Sequence, residues 1–310
     1  MEVFYIMMGL LFTIMHILLS FFTVSGLYLI SIKPRIHGRP DYKPFFGHMY
    51  AHRGLHNMNP AVQKLKNIRY SIGQQPENAP SPAECEENLP ENSYAAIKRA
   101  ADLGYGIEFD VHLTKDDIPV VFHDDTLNRI CGVKGNLRDY TYEELQQFSL
   151  LGTNERIPAF ADILKMVDGR VPLIIEYKVE KNADKLCRIC DRILSDYKGL
   201  YCIESFHPLA VRWYKIHRPN IVRGQLSEDF TKQKLNIPYF LLSHLIGNCY
   251  ASPDFIAYNC KHKDELSRNI CRKLYKSLSV AWTVRSQEEL DKVSRSFDLF
   301  IFEGFVPARQ

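Results

Sequence analysis

Eight short apolar runs, separated by stretches of helical periodicity, predict an α/β fold: a closed (β/α)8 barrel of TIM type. Two further observations complete the expected architecture. The gap between residues 107–113 and 119–123 is too short for a crossover, so an antiparallel hairpin excursion follows the second strand. Residues 3–32 contain no Asp, Glu, Lys or Arg, which predicts one N-terminal transmembrane helix ahead of the barrel.

The elements follow in order. Residues 1–32 form the membrane anchor, in contact with the bilayer through residues 3–32; about 20 apolar residues suffice to span. A cleaved secretory leader fits less well, because Glu2 rather than a basic cluster precedes the run and no small-residue cleavage motif follows it. Lys33, Arg35, Arg39 and Lys43, against Asp41 alone, predict a single-pass protein with its C-terminal domain in the cytoplasm. Residues 33–48, rich in Pro, Gly and His, read as a linker.

The barrel is assigned to 49–310, with strands at 49–52, 107–111, 171–177, 200–205, 221–226, 255–258, 279–284 and 299–303. Helical patterns occupy 93–103, 141–148 with 161–167, 184–196, 208–217 and 287–294. Residues 55–90, with several prolines, asparagines and glutamates and little periodicity, read as an inserted loop after the first strand. The apolar segment 235–246 is expected as a barrel helix facing the core; a helix resting on the bilayer surface is the alternative.

Composition bounds the function. Charged residues make up 24% and hydrophobic residues 46% of the 310, enough for a large core. The net charge of +3 comes without a long basic run, so no nucleic-acid partner is expected. The eight cysteines are scattered, and Cys187-x-x-Cys190 lies inside an amphipathic helical pattern with no second pair nearby. They are expected as ordinary reduced thiols rather than a zinc or redox site.

The chemistry gathers at strand ends. Glu108 and Asp110 are two apart on one strand and therefore point to the same face. Glu176 and Lys178 repeat that spacing on the next barrel strand. Bare carboxylates inside a barrel are costly unless paired or metal-bound. Glu108, Asp110 and Glu176 thus make an oxygen cradle for one hard divalent cation, Mg²⁺ or Ca²⁺. Structural ion pairs are the competing reading. His52 ends the first strand and His123 the returning hairpin, which carries His123 back toward Glu108 and Asp110. Two histidines near a cation supply a base for an attacking oxygen and an acid for a leaving alcohol. Arg53 and Lys178 supply fixed positive charge for phosphoryl oxygens.

The strings AHRG (51–54), LPENS (89–93), GIEFDVHLTKDDIPVVFHDDTLNRICG (106–132), IPAFADIL (157–164), IIEYK (174–178), ESFHP (204–208), RPNIVRGQL (218–226) and AWTV (281–284) resemble the glycerophosphodiester phosphodiesterase family in order and spacing. The resemblance implies that His52 and His123 are the general acid and base, that Glu108, Asp110 and Glu176 hold the metal, and that Arg53 and Lys178 bind phosphate. It places Trp282 beside the glycerol or leaving group. The family's Pro-Glu-Asn motif is assigned to Pro90-Glu91-Asn92 rather than 76–78, because a polar cap and helix follow directly; Glu91 and Asn92 then support the residues that touch substrate. The implied reaction has the glycerol 2-hydroxyl attack phosphorus and expel the alcohol. Water then opens the cyclic phosphate to glycerol 3-phosphate.

The implied substrate is a glycerophosphodiester or a lysolipid. A lysophospholipase-D-like or phospholipase-C-like enzyme, and a catalytically dead membrane scaffold, are the alternatives. Two departures from the family stand out: the length of 55–90, and Glu303 where many relatives carry Asp after the last apolar run.

Overall fold

The computed structural model describes residues 1–56, 89–232 and 236–307. Eight parallel strands close a barrel: β1 (Met49–His52), β2 (Gly106–Leu113), β4 (Leu173–Tyr177), β5 (Tyr201–Ser205), β6 (Arg223–Ser227), β7 (Phe255–Asn259), β8 (Leu278–Val284) and β9 (Leu299–Phe302). Pairing of β1 with both β2 and β9 completes the ring.

The extra strand, β3 (Pro119–Val121), pairs antiparallel with β2 through Val111↔Val121 and Leu113↔Pro119, as the short 114–118 gap requires. It stops at Val121 rather than His123. The Phe122 amide still donates to the Asp110 carbonyl, so the chain keeps its course toward the barrel mouth.

Alternation along each strand sorts the core into two layers. Ala51, Ile107, Phe109, Val111, Ile175 and Ile203 face outward and pack against helices. Tyr50, Ile174, Cys202, Leu226, Phe255 and Val280 face inward and fill the barrel. Two glycines make room for the large interior rings. A Cβ on Gly106 would come within 2.6 Å of the Tyr50 ring, and one on Gly224 within 2.1 Å of the Phe255 ring.

Among the described residues the helices are α1 (Glu2–Ser31), α2 (Tyr94–Asp102), α3 (Asn128–Cys131), α4 (Tyr142–Leu145), α5 (Phe160–Val167), α6 (Ala183–Leu194), α7 (Pro208–His217), α8 (Ile237–Ser243), α9 (Asn248–Ala251), α10 (Leu266–Lys273) and α11 (Gln287–Val293). Ser93 caps α2 by accepting from the Ala96 amide, as expected from its position after Pro90-Glu91-Asn92. The helix expected at 141–148 is a single turn, α4, opened by a capping box of Thr141 and Glu144. The eight-residue α10 is not among the helices expected from the sequence. In α6, Cys187 and Cys190 are buried free thiols, and the seven cysteines among the described residues are all free.

Two segments differ from expectation. Residues 33–48 do not hang free: Phe45 is 2% exposed inside the barrel's N-terminal end, and the Tyr50 hydroxyl donates to its carbonyl. Arg35 donates to the Pro219 carbonyl, and Arg39 to the carbonyls of Tyr275 and Lys276, across the same end. In α8, Ile237 is 75% and Phe240 45% exposed, so its apolar residues do not chiefly face the core. Most of the expected insertion, residues 57–88, lies outside the described residues.

Candidate active site

Strand register assembles the site. His52 stands opposite Glu108 across β1 and β2, and Asp110 opposite Glu176 across β2 and β4. Glu176 in turn stands opposite Glu204 on β5. Because register partners share an orientation, all of these side chains enter the barrel near its C-terminal mouth. Glu108, Asp110 and Glu176 bring one oxygen each to within 4.8 Å of one another. All three are buried, as is Glu204.

Four carboxylates in so small a space interact strongly. Burial, then repulsion from Asp110, Glu176 and Glu204, raises Glu108 well above the ordinary carboxylate range. Burial likewise raises Glu176, against the pull of Lys178, and raises Glu204, next to Glu176. Asp110 goes the other way: burial opposes its ionisation, yet Lys178, His123 and Arg53 hold it well below the usual value. The Lys178 ammonium sits 2.7 Å from Glu176 and 3.0 Å from Asp110. Glu204 Oε2 is buried and has no hydrogen-bond partner among the described residues.

This arrangement suits a hard dication. It offers oxygen donors only, carries repulsion that added positive charge relieves, and leaves a buried lone pair unused.

The backbone turns sharply at Arg53, whose φ of 54° lies in the left-handed region, at a cost of about 1–2 kcal/mol. The turn aims the Arg53 amide at Glu108 Oε2 (3.1 Å) and its guanidinium at Glu91 (2.7 Å) and Asp110 (3.4 Å). Gly54, with φ of 78°, completes it; a Cβ there would lie 2.8 Å from the Ala96 backbone. Asn92 donates to Asp110 at 2.8 Å. Glu91 is clamped between Arg53 and Arg129, which also holds Asp124 at 2.7 and 2.8 Å.

Each histidine is held by a carboxylate. His123 Nδ1 lies 2.6 Å from Asp124 Oδ1. Burial works against Asp124, but its bonds to His123 and Arg129 keep it ionised far below the usual range. His52 Nδ1 lies 3.2 Å from Glu303 Oε2, and its Nε2 3.9 Å from Glu108. Burial opposes ionisation of Glu303, yet His52 and Arg285 bring it down to about 2. Burial and the neighbouring Arg53 lower His52 itself to about 4. An ionised carboxylate only accepts, so both Nδ1 atoms must carry the proton. Trp282 stacks edge-on against Phe206, with ring centroids 5.6 Å apart, and its indole N–H has no partner among the described residues.

The ten residues singled out from sequence therefore converge on one end of the barrel. Glu204, Arg129, Asp124 and Glu303 complete the constellation. In the sequence Glu303 stands only as a departure from the family, and Asp124, Glu204 and Arg129 carry no assigned role.

The glycerophosphoryl diester phosphodiesterase family matches residues 85–296. The chain belongs to that family. A glycerophosphodiester phosphodiesterase of Caldanaerobacter subterraneus is 30% identical over 152 residues, covering 45% of this chain and 62% of the relative. The protein YhdW of Bacillus subtilis is 41% identical over 220 residues, covering 66% of this chain and 84% of its own length. The chain thus spans about three fifths of the first of these relatives. The fold agrees: a phosphodiesterase of Oleispira antarctica, solved with sn-glycerol-3-phosphate, superposes with a TM-score of 0.60 at 21% identity, over 83% of this chain and 93% of that one. A glycerophosphodiester phosphodiesterase of Thermotoga maritima superposes with a TM-score of 0.56 at 20% identity, over 82% and 93%. Both likenesses concern the eight-stranded parallel barrel of this family.

Proposed function

We propose that the chain hydrolyses glycerophosphodiesters to glycerol 3-phosphate and an alcohol, with His52 and His123 exchanging the protons. One observation carries this reading: two imidazoles, each tied through Nδ1 to an ionised carboxylate, flank a buried cluster of acids. Membership of the family, and the sn-glycerol-3-phosphate bound to the Oleispira antarctica relative, support the substrate class.

Near neutral pH His52 is uncharged, because its pKa is lowered to about 4. Its free Nε2 takes the proton of the glycerol 2-hydroxyl, whose oxygen bonds to phosphorus. The bond from phosphorus to the leaving alcohol breaks, and His123 gives that oxygen its proton. Water then opens the cyclic phosphate with the two roles reversed. Arg53 and Lys178 hold phosphoryl oxygens, where charge develops. Glu91 and Asn92 fix Arg53 and Asp110. The Trp282 N–H, which has no partner among the described residues, would be turned to the glycerol or leaving group. Glu108, Asp110 and Glu176 would hold one Mg²⁺ or Ca²⁺, which when bound supplies Lewis-acid charge to the phosphate.

Residues 49–310 are the catalytic domain, and α1 is its anchor in a cytoplasmic orientation. The most apolar 18-residue stretch within Phe4–Ser31 has a mean hydropathy of 2.1, and α1 keeps its last turn packed on the barrel, which suits an anchor better than a removable leader.

His52→Ala and His123→Ala should each lower glycerol 3-phosphate release from glycerophosphocholine by about 10²–10⁴-fold with unchanged circular dichroism. Residual turnover within a few-fold of wild type in either variant would sink the two-histidine mechanism.

A further inference from the structure

His112 is a buried ionisable side chain that the proposed reaction leaves unused. It follows Glu108 and Asp110 on β2 at the same two-residue spacing, so its imidazole points to the same face, one step beyond the acids. It is fully buried, where a polar ring is costly unless its nitrogens are bonded. Both nitrogens have partners. Nε2 lies 3.0 Å from the His123 carbonyl, and Nδ1 lies 3.2 Å from Glu180 Oε1. A carbonyl only accepts, so Nε2 donates that bond. The other oxygen of Glu180 lies 3.1 Å from Arg138 Nε, which fixes the carboxylate that orients the ring.

The His123 carbonyl is a place where one bond has a large effect. The ladder between β2 and β3 ends at Val111↔Val121, and the bond from the Phe122 amide to the Asp110 carbonyl carries the chain one residue further. His123 stands where the chain leaves the sheet. Its bond to Asp124 orients the ring within its own short segment but does not fasten that segment to the barrel. Two ties do. Arg129 joins Asp124 to Glu91, and His112 joins the His123 main chain to β2, the strand that carries Glu108 and Asp110. A catalytic group displaced by about 1 Å loses on the order of 10²-fold in rate, so the second tie matters to the chemistry.

We propose that His112 is a positioning residue for His123: its Nε2–H, held on the His123 carbonyl, sets where the His123 imidazole meets the leaving-group oxygen. The proposal rests on the diesterase reading, in which His123 protonates the departing alcohol. Glu180 acts one step further out, by fixing the tilt of the His112 ring.

This role has a signature that damage to the fold lacks. A choline leaving group needs a proton from His123 as its bond to phosphorus breaks, whereas a nitrophenolate leaves without one. Misplacing the acid slows the choline ester selectively. General damage to the site slows both esters together.

The test compares glycerophosphocholine with the p-nitrophenyl ester of glycerol 3-phosphate, using the full chain in detergent micelles. Release of choline or nitrophenolate gives kcat/KM for the first bond cleavage. In His112→Asn, whose amide reaches Glu180 but stops short of the carbonyl, the ratio of choline to nitrophenolate kcat/KM should fall at least about tenfold. His112→Gln, which still reaches the carbonyl, should keep the ratio within about threefold of wild type. Glu180→Ala frees the ring without touching the core and should lower the ratio in the same direction as His112→Asn. His123→Ala should lower it at least as far. A ratio unmoved in His112→Asn and Glu180→Ala but lowered in His123→Ala would overturn the positioning role and spare the diesterase reading. A ratio unmoved in His123→Ala would overturn the assignment of the acid and the proposal with it. His112→Gln as impaired as His112→Asn would show that the donated bond is not what matters, and would also overturn the proposal.

Discussion

Glu303 shows how one side chain couples a histidine to the stability of the whole site. It accepts from His52 and Arg285, at 3.2 and 3.1 Å, and its folded pKa falls to about 2. An unfolded Glu titrates near 4.3. Because the folded value is the lower one, Glu303 contributes stability above the unfolded pKa and loses it as pH falls through about 2. In detergent micelles, wild type should therefore melt above Glu303→Gln at pH 6, and the gap should shrink by about 1–2 kcal/mol at pH 3. A gap independent of pH would show that the carboxylate's charge is not what holds His52.

The acids of the cradle predict the opposite sign for added charge. Burial and mutual repulsion keep Glu108, Glu176 and Glu204 above their ordinary pKa values, so a bound dication should stabilise the fold by mass action. Millimolar Ca²⁺ or Mg²⁺ should raise the thermal midpoint by several degrees, a chelator should reverse the rise, and Glu108→Gln should lose most of it. No shift with either ion, in wild type, would mean that the carboxylates serve only as ion-pair partners. The pair Glu108 and Asp110 was legible in the sequence because strand periodicity puts residues two apart on one face. Glu204 was not, since it joins Glu176 only through the register of β4 and β5, which no local spacing encodes.

Among the elements, β1 and α2 are joined where the site is made. The Leu55 amide donates to the Ala96 carbonyl at 2.9 Å, and Gly54 lies too close to that backbone to carry a side chain. The obstacle is main chain, which cannot swing aside as a flexible side chain would. Gly54→Ala should cost about 1–3 kcal/mol in melting experiments, and should lower turnover as well, because the same turn aims Arg53 at Glu108. A fully active, fully stable variant would show that the turn tolerates a shift.

The hairpin of β2 and β3 was readable from the length of its connection alone. Helix α10 was not read, although its residues are amphipathic at helical spacing, and α8 was misjudged for a physical reason. Apolar periodicity says that a face avoids water; it does not say whether protein or lipid covers it. The basic residues that suggested orientation are also partly explained by the fold, since Arg35 and Arg39 satisfy carbonyls at the barrel's N-terminal end.

For the whole molecule, the decisive contact is between α1 and the barrel. A leader removed after translocation has no reason to place a residue in the core. Ile32 is fully buried, and Leu29 and Tyr28 pack against the same cluster as Leu245, Ile256 and Cys271. Ile32→Ala leaves the apolar span intact but opens a cavity in that seat, at about 2–4 kcal/mol. For a domain of this size the thermal midpoint should fall by about 5–15 °C. Membrane fractionation should be unchanged, because the exposed apolar residues 4–24 are untouched by the substitution. Intact mass of the purified chain should include residues 1–32. A chain lacking those residues, or a variant melting with wild type, would detach the helix from the barrel.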